Sequence, residues 1–118
     1  MIPAPRKVLV LRPGALGDGV VTLPVLAALR AAWPAAEVLA IGPPVFRLAA
    51  EAGLATGWIA FDDPRLLGLF TEGGHSEAIE GCDLAILYGG DDDPLPARNL
   101  AAAGVGRVLP WPAHPGPM

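Results

Sequence analysis

A single cysteine, Cys82, leaves this chain unable to build a disulfide framework or a cysteine zinc site within one polypeptide. The setting expected from it is reducing and cytoplasmic. Charge is scarce too: only 17% of the 118 residues are charged, and 12 acids against 8 bases give a net charge of -4. With no basic stripe to neutralise a phosphate backbone, nucleic acid is excluded as a partner. Glutamine is absent, and asparagine and lysine occur once each, as Asn99 and Lys7. That bias suits a thermophile or a GC-rich genome, which composition alone does not separate.

Long hydrophobic runs are also missing. The stretch Val8 to Leu11, after Arg6 and Lys7, is too short for a signal-peptide core. The longest apolar stretch, Val20 to Leu29, contains Thr22 and Pro24 and stops at Arg30. It falls short of the ~20 residues of a membrane span, so neither export by that route nor a transmembrane segment is expected.

What the chain has in plenty is apolar residues, 53% of the total with a mean hydropathy of +0.46. Those values are high for a single soluble domain and fit a sheet covered on both faces. Lys7 to Arg12 reads as a buried parallel strand. Apolar residues then recur at helical spacing from Asp18 to Trp33, with Pro24 delaying or kinking the first turns. Further strands are expected at Glu37 to Ile41, Trp58 to Phe61, Asp83 to Tyr88 and Arg107 to Leu109. Helices are expected at Val45 to Ala52, Arg65 to Phe70 and Pro94 to Ala103, with Thr71 to Ser76 as a loop. Strand and helix alternate with short connections, which calls for an α/β, Rossmann-like, three-layer α/β/α fold with a mostly parallel sheet of about five strands. The domain is expected over residues 1–110, with 111–118 as a Pro-rich tail or the start of a linker.

Chemistry concentrates in the glycine turn after the first strand, Arg12-Pro13-Gly14-Ala15-Leu16-Gly17-Asp18-Gly19. Parallel sheets hold ligands at the carboxyl ends of their strands, where helix amides point outward. Gly14, Gly17 and Gly19 do not match G-x-G-x-x-G, and Gly42-Pro43-Pro44 after the second strand offers no acid to a ribose, which argues against NAD. No Gly-Lys-Ser/Thr follows any strand, so a Walker A loop is excluded. Asp18 is either a helix N-cap or a general base kept ionised by helix amides, and the two roles are compatible. Arg12 pairs with an anionic ligand, pairs with Asp18, or sits in solvent at the strand end. Asp91, Asp92 and Asp93 diverge in direction, and Asp93-Pro94 repeats the capping pattern of Asp63-Pro64, so a metal site is not expected. His75 and His114 lack partners at ligand spacing, and Cys82 reads as a small core residue.

The run RPGALGDGVVTLPVLAALRAAWPAAEV, Arg12 to Val38, resembles the amino-terminal half of glycosyltransferase family 9, the ADP-heptose lipopolysaccharide heptosyltransferases. The likeness lies in a base at the strand end, a small-residue turn with Gly17-Asp18, then Thr22-Leu23-Pro24 and an Ala/Leu helix ending in aromatic-Pro. It continues more loosely through Gly42-Pro43-Pro44 and Cys82-Asp83-Leu84. The resemblance implies the acceptor-side domain of a two-domain GT-B enzyme, with a sugar or lipid-linked glycan as acceptor and a nucleotide sugar bound by a second domain. It implies Asp18 as the base, Arg12 and the turn Gly14, Ala15 and Gly17 beside an anionic acceptor, Thr22 supporting the turn, and no metal or other cofactor. It also implies contact with the inner membrane from the cytoplasmic side and little activity without the donor domain. An apolar surface left uncovered would favour a homo-oligomer. The other reading is a stand-alone Rossmann-like binding or protein-interaction module that keeps the turn for its fold alone.

Overall fold

The computed structural model describes residues 4–13, 16–71, 74, 76–88 and 95–111, with the backbone alone at 16, 17, 110 and 111. The chain runs β1 (Lys7–Leu11), α1 (Leu16–Ala32), β2 (Glu37–Gly42), α2 (Val45–Glu51) and β3 (Gly57–Ala60). Two 3₁₀ helices follow (Pro64–Phe70 and Glu77–Ile79), then β4 (Leu84–Tyr88), α3 (Leu95–Ala102) and β5 (Arg107–Trp111). The described strands form one five-stranded sheet in the order β3-β2-β1-β4-β5. Every pairing in it is parallel. This is the expected α/β, Rossmann-like architecture.

Side-chain alternation along the strands builds two cores. Leu9, Leu11, Ile41, Ile59 and Leu87 face the 3₁₀ helices and α3 through Leu66, Leu69, Ile79 and Leu100. Val8, Val10, Val38 and Ala40 face α1 and α2 through Leu26, Leu29, Phe46 and Ala49. Because β1 is central, Val8, Leu9 and Val10 are wholly buried. Truncating Leu9 to Ala would cost about 2–5 kcal/mol through lost transfer energy and the cavity left behind.

Local signals account for most element ends. Gly53 and Gly104 follow α2 and α3 with φ of 85° and 98°, a region that favours glycine. Asp63 accepts from the Arg65 amide at 2.8 Å with Pro64 in the first helical position. The expected short helix is present, and its turns are 3₁₀. Buried Asn99 of α3 takes their terminal carbonyls, donating to Leu69 O at 2.8 Å and Thr71 O at 2.9 Å. The expected loop up to Ser76 leads into a second 3₁₀ helix, where Ser76 Oγ accepts from the Ala78 amide at 3.3 Å and donates to Arg65 O at 2.6 Å.

Two further expectations are corrected. α1 begins at Leu16 and runs through Pro24 unbroken. Pro24 and Val20 both lie on the exposed side, where water can take the Val20 carbonyl that loses its amide partner. β5 continues past Leu109 to Trp111, and the edge position tolerates Pro110, whose missing N–H leaves the β4 ladder intact on its other side. The strand thus extends one residue into the segment expected as tail.

At the amino edge of the sheet the polar groups are held by backbone. The Asp83 carboxylate, just before β4, accepts from the Arg6 amide at 2.8 and 3.1 Å and the Lys7 amide at 3.1 Å. Lys7 Nζ donates to Glu80 O at 3.0 Å and Ala78 O at 3.3 Å. Burial by itself would raise the Asp83 pKa, but the amides of Arg6 and Lys7 outweigh it and hold the carboxyl below its ordinary value.

Candidate functional site

From β1 the chain steps to β2 on one side and, after the crossover, β4 lies on the other, so the sheet order reverses between β1 and β4. Such a reversal opens a crevice beyond the carboxyl ends of the two strands, the usual ligand position in doubly wound sheets. Arg12 is the first residue after β1 on that edge. Its amide donates to Ile41 O at 2.8 Å, which continues the ladder past the strand. Its carbonyl lies so close to Gly42 that a Cβ there would come within 2.5 Å. Glycine at the end of β2 is therefore a condition for the path of Arg12.

The parity that buries Val8 and Val10 puts the Arg12 side chain on the α1 face, and the guanidinium is almost wholly buried at 4% exposure. The register Leu11↔Leu87 brings Tyr88 beside it, and the Arg12 Cζ sits 4.7 Å from the centre of the Tyr88 ring. The ring supplies a cation–π contact in place of water. Burial raises the Tyr88 pKa and the Arg12 charge opposes that rise, so the group remains a neutral phenol at physiological pH.

Asp18 completes the constellation. α1 starts at Leu16, so Asp18 is not the N-cap but the third helical residue, where a carboxylate still meets the positive end of the helix. Arg12 Nη2 donates to Asp18 Oδ1 at 3.1 Å, and the Asp18 side chain keeps 31% exposure while its partner keeps 4%. Thr22, itself buried, donates from Oγ1 to the Asp18 carbonyl at 2.8 Å. Its hydroxyl therefore acts within the first turns of α1 and braces the turn that carries Asp18.

Among the described residues the buried Arg12 Nε–H has no hydrogen-bond partner. A buried donor left unsatisfied costs about 1–3 kcal/mol, so such a group calls for a water, an ion or a ligand as partner. A charged pair with one exposed carboxylate, one sequestered cation and unspent donor capacity can take a proton from a hydroxyl while the cation holds the resulting charge distribution in place.

The structure thus brings together Arg12, Asp18 and Thr22. Gly17 is the second residue of α1, and only its backbone is described; Gly14 and Ala15 lie outside the described residues. So do Asp91, Asp92, Asp93, His75 and His114. Among the described residues no three His, Cys, Asp or Glu side chains gather as a metal ion would require. Cys82 is buried, and burial raises its thiol pKa, which leaves it an inert core group. No described helix is long and apolar enough to cross a membrane.

Tyr88 is the site residue that sequence reasoning missed. A tyrosine ending an apolar strand reads as core, and only the β1–β4 register shows that it covers Arg12. No family model, curated protein or solved structure matches the chain, so its fold rests on the sheet topology and its function on the chemistry of this edge.

Proposed function

We propose that this chain is the acceptor-binding domain of an inverting, heptosyltransferase-like glycosyltransferase, with Asp18 as its general base. The observation that supports this reading is the partly exposed Asp18 carboxylate held 3.1 Å from a buried Arg12 guanidinium beyond the carboxyl end of β1. In the proposed reaction Asp18 removes the proton from an acceptor hydroxyl as that oxygen attacks the anomeric carbon of a nucleotide sugar. The nucleotide diphosphate leaves from the opposite face with its bonding electrons, which inverts the centre. Arg12 fixes the carboxylate, Thr22 braces its helical turn, and the family resemblance assigns Gly14, Ala15 and Gly17 to an anionic acceptor. No metal takes part.

A donor-binding domain, on the same chain or a partner, must supply the nucleotide sugar and stabilise the leaving group. The 118 residues alone are expected to transfer no sugar. A lipid-linked acceptor would place the work at the cytoplasmic face of the inner membrane.

Asp18→Asn in the enzyme completed by a donor domain, assayed with ADP-heptose, is the deciding experiment. Loss of transfer with unchanged folding supports the general base. Unchanged transfer overturns the general base and leaves the Arg12–Asp18 pair as a tie between β1 and α1.

A further inference from the structure

A second concave surface lies on the same carboxyl edge, at the ends of β2 and β3. This cleft of about 360 Å³ is lined by Pro43, Pro44, Trp58, Phe61 and Asp62 among others, and its size is that of a small-molecule site. Pro43 links it to the Asp18 region. Gly19, next to Asp18 in α1, packs so tightly on Pro43 that an added Cβ would come within 2.6 Å of the proline ring.

The lining has a definite chemistry. Trp58 Nε1 donates to Gly42 O at 3.1 Å, which fixes the indole and satisfies its one polar group. Phe61 keeps 38% exposure and rests on Phe70, with ring centres 5.3 Å apart and planes tilted by 59°. Asp62 makes no ion pair or side-chain hydrogen bond among the described residues, and no cation lines the cleft. A phosphate or carboxylate would meet only negative charge there. A plain hydrocarbon would strip water from Asp62 and return nothing. A neutral sugar ring suits both parts: its C–H face packs on the electron-rich faces of aromatic rings, and its hydroxyls donate to the carboxylate.

We infer that the Trp58–Phe61–Asp62 cleft is a subsite for a neutral hexose or heptose ring. Two strand spacings, about 10 Å, separate the ends of β1 and β3. The ring held here is therefore a neighbour, within the same acceptor glycan, of the sugar whose hydroxyl faces Asp18; this last assignment rests on the transferase reading, whereas the binding does not.

The test follows the Trp58 indole N–H of the ¹⁵N-labelled 118-residue chain by NMR, assigned with Trp33→Phe and Trp111→Phe. The chain is titrated with the methyl glycosides of mannose and L-glycero-D-manno-heptose, and with mannose 6-phosphate as the charged control. A saturable Trp58 shift with a neutral glycoside is expected, weakened about fivefold or more by Asp62→Ala and by Phe61→Ala but unaffected by Asp18→Asn. No saturable shift, a shift with the phosphate alone, or equal binding by Asp62→Ala overturns the subsite. Saccharide binding in an enzyme whose transfer ignores Asp18→Asn overturns the catalytic reading alone. Asp18-dependent transfer with a silent Trp58 overturns the subsite alone.

Discussion

Both ends of β1 carry a base close to an acid, and the two pairs are built on opposite plans. At the amino end Lys7 and Asp83 spend their hydrogen bonds on backbone, the ammonium on the carbonyls of Ala78 and Glu80 and the carboxylate on the amides of Arg6 and Lys7. At the carboxyl end Arg12 and Asp18 bond to each other, and the buried guanidinium keeps an Nε–H without a partner among the described residues. Charges that tie chain to chain are fully engaged and serve the fold. Charges that engage each other leave a partly exposed carboxylate at the strand's end, which is what the proposed reaction would use.

The contrast predicts different phenotypes at the two ends. Asp18→Asn should lower transfer by about 10²- to 10⁴-fold, the usual worth of a general base, and Arg12→Met should also lose transfer yet change stability by no more than about 1 kcal/mol, because the carboxylate left behind is 31% exposed and regains water. Urea unfolding beside the transfer assay separates the two effects. A loss of several kcal/mol in Arg12→Met would show that this end is structural as well.

Gly42→Ala attacks the carboxyl end through the backbone. The new Cβ would meet the Arg12 carbonyl and the Phe46 ring, and neither can retreat easily, so a loss of about 1–3 kcal/mol is expected on denaturation. Asp83→Ala attacks the amino end and should cost about 1–2 kcal/mol with transfer unchanged.

The Asp83 carboxyl also gives the comparison a pH signature. Its folded pKa lies below the ordinary carboxylate value, held there by the Arg6 and Lys7 amides against the effect of burial. Its contribution is therefore present above the unfolded value of about 3.9 and is lost as pH falls through the lower folded one. Stability of the parent chain measured by denaturation should drop below about pH 4 more steeply than that of Asp83→Asn. Equal slopes would remove Asp83 as the acid-sensitive clamp. The smallest effect is expected from Glu51→Ala, which breaks the exposed 3.4 Å pair with Arg47 at a cost of about 0.5 kcal/mol or less.

Much of the fold was legible because its signals are local. The apolar run of β1, the Asp63-Pro64 start and the glycines after α2 and α3 each act within a few residues. The start of α1 was misjudged because Pro24 reads as a break, while the exposed side of the helix tolerates it. The last carbonyls of the 3₁₀ helix Pro64–Phe70 are taken by Asn99, which lies about thirty residues away. No local pattern could report that contact.

The same division holds for the site. Position in the strand–turn–helix unit singled out Arg12 and Asp18, a base at a strand end and an acid in the next turn, and only the family resemblance added Thr22. The depth to which Arg12 is buried, the ring of Tyr88 over it and the cleft beside Pro43 came only from the assembled sheet. Sequence by itself determined which residues could meet within one β–α unit, because covalent connection and periodicity enforce those neighbours. Tertiary structure decided the solvation of the charges and the partners drawn from β3 and β4, because the parallel register and strand order, fixed by packing across the whole sheet, set what stands beside the end of β1.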